Sequence, residues 1–192
     1  MMPTLDEPRV RTWSKAEYYQ MADLGWFRGQ RAELIEGEIV AQSPQNWPHS
    51  VTTDRVAERL RHTFGATAWV RMQLPLDFGA TSEPEPDISV VPGRRADYSS
   101  HPTSALLIVE VSDTTLRFDR RDKASFYAAH GVADFWVVDL IHGLLEVRRA
   151  PHADSSQKHG FAYRDVSVLN PTENVTPLAL PCTAISVADF FG

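Results

Sequence analysis

The chain has 192 residues, 43% of them apolar, with a formal net charge of −6; that length suits one full core better than two. Its single cysteine, Cys182, excludes an internal disulfide, and no apolar run approaches the roughly 20 residues of a membrane span. Met1 to Arg11 mixes charge with proline and lacks the apolar stretch of a signal peptide, so a reducing, cytoplasmic setting is expected.

In chain order, Tyr18, Met21 and Ala22 recur at helical spacing behind Thr12 or Ser14 as N-cap, which predicts a short helix over 14–24. Residues 32–35 and 38–41 flank Glu36-Gly37 and predict a hairpin. The run Ser43-Pro44-Gln45-Asn46-Trp47-Pro48 interrupts the pattern. Val56, Ala57, Leu60 and Phe64 then predict an amphipathic helix over 50–64, ending before Gly65. Residues 68–74 and 86–91 predict strands. The stretch 105–111 is apolar without alternation until Glu110, as in a central strand buried on both faces. Ala124, Tyr127 and Ala128 predict a second amphipathic helix over 118–130, closed by Gly131, and 135–139 another buried strand. Residues 144–149 and 161–164 predict outer strands around a polar loop, and 187–191 an apolar piece docked on the core. Such an alternation predicts one α/β domain over the whole chain, a mixed sheet flanked by helices.

Three positions carry chemistry. Asp87 follows a proline, which tends to open a strand or sit on its edge, so a solvent-accessible carboxylate is expected there. Glu110 follows a run of apolar residues on a central strand, where a charge is costly unless something neutralises it. If the strands are neighbours, two carboxylates about 4 Å apart repel by roughly 4 kcal/mol at an effective dielectric near 20. A cation bound between them removes that cost, and oxygen donors suit Mg²⁺ or Mn²⁺. Lys123 follows at the start of a helical pattern, beside Arg117, Arg120 and Arg121. Taken singly, Asp87 reads as a strand-start acid, Glu110 as the buried partner of an arginine and Lys123 as a surface residue; their order and spacing set them apart. Negative net charge runs against phosphate binding, which leans on Lys and Arg, but the arginines at 117–121 concentrate positive charge next to Lys123. No paired-ligand spacing among the histidines points to zinc.

Glu85-Pro86-Asp87-Ile88-Ser89-Val90-Val91 and Ile108-Val109-Glu110-Val111 resemble the two acid-bearing strands of the PD-(D/E)XK nuclease superfamily. The lysine that commonly stands two residues after the second acid is replaced by Ser112. The series Asp119, Lys123, Tyr127, Gly131-Val132 and 135–139, with 32–40, Ser43-Pro44 and His49, resembles the Uma-type putative restriction endonuclease family, in which the lysine has moved to the following helix. The resemblance implies a restriction-endonuclease-like core and a Mg²⁺- or Mn²⁺-dependent endonuclease acting on DNA, with a homodimer as the natural form for cutting two strands. It implies metal ligation by Asp87, Glu110 and the Val111 carbonyl, a catalytic role for Lys123, and substrate contacts from Tyr127, Arg120 and His49. It also implies an auxiliary upstream acid, for which Glu33, flanked by apolar positions, is preferred to Glu36 in its turn. The alternative is a catalytically inactive nuclease-fold module that binds nucleic acid or a protein partner.

Overall fold

Ser14 caps helix α1 (Lys15–Asp23) in a capping box: its side chain accepts from the Glu17 N–H while the Glu17 carboxylate accepts from the Ser14 N–H, 2.9 Å away. Strands β1 (Arg31–Ile35) and β2 (Glu38–Gln42) follow as an antiparallel hairpin. Glu36 and Gly37 join them with φ of 47° and 80°, the positive pair that a tight turn between right-twisted strands requires. A side chain on Gly37 would meet Cβ of Thr12 at 2.5 Å, so the turn needs glycine for space as well as for φ. In the computed structural model, which describes residues 10–192, these elements form one of two compact units, together with Phe78–Pro84. Its small core is built on Met21, Ala32, Leu34 and Ile35. Most of the opening segment read for a signal peptide lies outside the described residues.

The second unit comprises Gln45–Asp77 and Glu85–Gly192. Helix α2 (Trp47–Phe64) begins earlier than the periodicity predicts, because Asn46 caps it and Pro48 sits in its first turn, where the missing N–H has no partner to lose. Strands β3 (Ala68–Met72), β4 (Ile88–Pro92) and β5 (Leu107–Ser112) precede a continuous helical stretch made of α3 (Leu116–Phe118), a π-helical segment over Asp119–Lys123, and α4 (Ala124–Ala129). Strands β6 (Asp134–Asp139), β7 (Leu144–Ala153) and β8 (Phe161–Leu169) complete one six-stranded sheet, ordered β3-β4-β5-β6-β7-β8. β7 and β8 run past the predicted limits and pair as far as Ala153 with Phe161, which leaves 154–160 as the polar loop. A two-stranded pair, β9 (Asn174–Val175) with β10 (Ile185–Ser186), and the short helix α5 (Ala188–Phe191) close the chain.

The sheet is mixed. β5 and β6 are parallel and the other neighbours antiparallel. A parallel pair needs a crossover, and the helical stretch 116–129 supplies it. Ile88, Val90, Leu107, Val109, Trp136 and Val138 turn to one face and pack with Val56 and Leu60 of α2 and Phe190 of α5. On the opposite face Phe135 meets Tyr127 of α4, ring centroids 5.2 Å apart. Covered on both faces, β5 and β6 are buried at every position, which is why their sequences show no alternation. No described helix is long and apolar enough to cross a membrane.

Candidate active site

Asp87 stands one residue before β4, opposite Gln73, the residue after β3, which has φ of 50° and whose N–H donates to the Asp87 carbonyl. Its side chain is not open to solvent as expected from the preceding proline; Asp87 is buried, because the start of α2 and the end of β5 both close on it. Oδ2 accepts from the Val111 N–H at 2.9 Å and lies 3.2 Å from Nε2 of His49. Oδ1 accepts from the Gln45 amide at 3.1 Å, and the Gln45 oxygen accepts in turn from Gln73 at 2.8 Å. On the neighbouring strand, Glu110 is 2% exposed. Its Oε2 faces the Asp87 N–H at 3.3 Å, while Oε1 accepts from Lys123 Nζ at 3.0 Å and from the Tyr127 hydroxyl at 2.7 Å. In place of the arginine expected for a structural Glu110, a buried lysine and a tyrosine one turn apart hold it.

Lys123 is 6% exposed, carried inward by the π-helical segment. Its ammonium lies 4.0 Å from Oδ1 of Asp119, also buried. Ser112, at the place of the superfamily's usual lysine, donates to Asp119 Oδ2 at 2.7 Å, and Thr115 donates to the same oxygen at 2.6 Å. Burial pushes the Asp119 carboxyl up, and the Asp87 charge adds to this; Lys123, Thr115 and Ser112 only partly oppose it. For His49, burial works against the imidazolium, but the hydrogen bond and charge of Asp87, the charge of Asp113 and the Val111 carbonyl outweigh it and hold the pKa above the ordinary value.

Arg120, expected to reach substrate, is turned to the sheet instead, where its guanidinium pairs with Asp139 at 2.7 Å and with Glu146. His49 lies at the third position of α2, its N–H donating to the Asn46 cap and its ring to Asp87. Beside it Trp47 is 80% exposed, and Asn46 also donates to Asp113 at 2.6 Å, which brings the start of α2 against the turn after β5. Glu33 is buried on β1, in the first unit, and Glu36 is exposed in its turn. Gln45, Ser112, Asp119 and Trp47 were not singled out for roles at the site from sequence. Asp119 alone left a signal, as one member of the spaced series it forms with Lys123 and Tyr127.

Among the described residues no group of three or more His, Cys, Asp or Glu side chains gathers as a ready-made metal nest. Two carboxylates fit a different kind of site: Mg²⁺ typically takes one or two, with water and substrate oxygens filling its remaining positions. Val111 follows Glu110 on β5 and its N–H donates to Asp87 Oδ2 at 2.9 Å, so its peptide lies beside both carboxylates. The donor set therefore suits a hard divalent cation.

A family model described as "Putative restriction endonuclease", Uma2, matches residues 16–188. A solved structure, a putative nuclease of DUF820 from Anabaena variabilis ATCC 29413, is 18% identical and superposes with a TM-score of 0.63, covering 83% of this chain and 89% of that one. No curated protein matches the chain.

Proposed function

The chain belongs to the Uma2 family, described as putative restriction endonucleases, and from that membership we propose that it is a metal-dependent endonuclease that hydrolyses DNA phosphodiester bonds. One observation carries the reading: Asp87 just before β4, Glu110 on β5 and Lys123 on the crossover helix converge in a single buried hydrogen-bonded cluster. Burying two acids and a lysine away from water is expensive unless the group has a task or is fully paired.

In the proposed mechanism Asp87, Glu110 and the Val111 carbonyl would hold Mg²⁺ or Mn²⁺, which when bound would supply Lewis acidity and a more acidic water. Lys123 brings a positive charge to the negative charge that grows on the phosphate in the transition state. Tyr127 fixes the Oε1 side of Glu110, and His49 with Gln45 fixes Asp87. Asp119, tied down by Ser112 and Thr115, limits where the Lys123 ammonium can go. The exposed indole of Trp47 offers a stacking face for a base. Cleaving both strands calls for two such sites, so a two-fold dimer belongs to the proposal.

Titration calorimetry with Mn²⁺, paired with nicking of supercoiled plasmid, tests this reading. Wild type should bind Mn²⁺ and nick only when it is supplied; Glu110→Ala should lose the binding heat and Asp87→Ala the nicking. A wild type that binds duplex DNA but neither takes up Mn²⁺ nor nicks would point to the inactive binding module instead.

A further inference from the structure

Three arginines fall within five residues of the crossover helix, and they part company. Arg120 turns inward to Asp139 and Glu146, whereas Arg117 and Arg121 stay exposed, one helical turn apart and without a carboxylate partner among the described residues. Like charges at that spacing repel, so the pair is better accommodated with an anion between or above them. Both line a cleft of ≈ 540 Å³ that also takes in Thr114, Thr115, Gln157 and Lys158, the last two from the turn between β7 and β8. Asp122 brings a single carboxylate to the same wall. The cleft is thus locally positive in a chain whose net charge is −6; its Thr114, Thr115 and Gln157 donors are engaged by Asp113, Asp119 and Asp154, so its cations are what it presents. It begins at Thr114, four residues past Glu110, and shares its helix with Lys123: one side of that helix faces the carboxylates and the other lines the cleft.

We infer that this cleft binds the phosphodiester backbone of nucleic acid alongside the phosphate that is cut, with Arg117, Arg121 and Lys158 as its phosphate contacts; the inference rests on the endonuclease reading. A polyanion fits better than a single small anion, because the cations stand apart along an open polar wall. None of them is buried as a closed anion pocket would require.

Anisotropy of a fluorescently labelled DNA duplex, titrated in EDTA between 50 and 200 mM salt, reads the contacts directly. Each phosphate contact contributes about 0.9 to the slope of log affinity against log salt. The double variant Arg117→Ala/Arg121→Ala should lower that slope by about 1 to 2 and weaken binding roughly tenfold or more. Lys158→Ala alone should lower the slope by about 1. Arg94→Ala/Arg95→Ala removes the same charge at the other end of β4 and should leave the slope unchanged. Inorganic phosphate at matched ionic strength should displace the duplex no better than chloride does. Equal losses in both double variants, or selective displacement by inorganic phosphate, would overturn the inference. So would an unchanged slope in the Arg117/Arg121 and Lys158 variants of a protein that still nicks plasmid, and that result would leave the endonuclease reading standing. A wild type that neither binds nor nicks DNA would remove both.

Discussion

Glu110 shares one carboxylate oxygen between the Lys123 ammonium and the Tyr127 hydroxyl, 3.0 and 2.7 Å away. A hydrogen bond to a charged group contributes about 1.5–3 kcal/mol, and one left unmade in a buried site costs its desolvation. Tyr127→Phe should therefore lower metal-free stability by about 1–2 kcal/mol in urea unfolding while leaving the Mn²⁺ binding heat in place. Unchanged stability would make Tyr127 a packing residue of the sheet face. At this scale the sequence displayed the residues that break a pattern: Glu110 interrupts an apolar run and Asp87 follows a proline at a strand start. Gln45 hides because a polar residue in a loop has no periodicity to violate, and Ser112 because it stands at the last position of β5, where a polar residue is ordinary. Their roles come from which elements meet, and a single sequence does not state that.

The crossover helix is fastened to the sheet by two of its cations. Lys123 reaches Glu110 on β5, and Arg120 reaches Asp139 on β6 and Glu146 on β7. Asp139 is fully buried and Glu146 nearly so, so losing Arg120 takes a cation from two buried acids, leaving Asp139 with Ile141 and His142 and Glu146 with Arg148. Arg120→Ala should cost about 1–3 kcal/mol of stability, with the salt slope of DNA binding unchanged. A lower slope without a stability loss would return Arg120 to the substrate. The arginine run alone could not tell which member turns inward, because the π-helical turn at Asp119–Lys123 shifts the phase that a 3.6-residue period would assign. Helix α2 is longer than its periodicity predicts for a related reason. Pro48 resembles a break until Asn46 is seen capping the turn that contains it. Strands β5 and β6 were legible because burial on both faces writes itself as an unbroken apolar run.

Over the whole molecule, acid tolerance depends on carboxylates that the fold shifts in opposite directions. Burial pushes Asp139 up, but its hydrogen bonds to His142 and the charges of Arg120 and His142 outweigh that and leave it below the ordinary carboxylate range. A depressed carboxyl contributes stability above its unfolded pKa of about 3.9, and loses it as pH falls through the lower folded value. Asp119, held high by burial, has the reverse sign: its contribution falls as pH rises above about 3.9. Asp139→Asn should thus be less stable than wild type by about 1–3 kcal/mol near pH 7, and the gap should close below about pH 4. A gap constant from pH 7 to pH 3 would assign the loss to packing. The two acid-bearing strands, the lysine on the next helix and the mixed sheet were all readable from the chain. Its division into two compact units was not, because Phe78–Pro84 joins the N-terminal hairpin through pairing such as Leu34 with Glu83, far apart in sequence. In the proposed mechanism a lysine from the helix completes the pair of acids, Asp87 and Glu110. Plasmid nicking by Lys123→Ala with Mn²⁺, in protein that retains the wild-type binding heat, tests it most directly. The rate should fall by about 100- to 1000-fold, as for the loss of one transition-state charge contact; nicking at the wild-type rate would make Lys123 a structural partner of Glu110 alone.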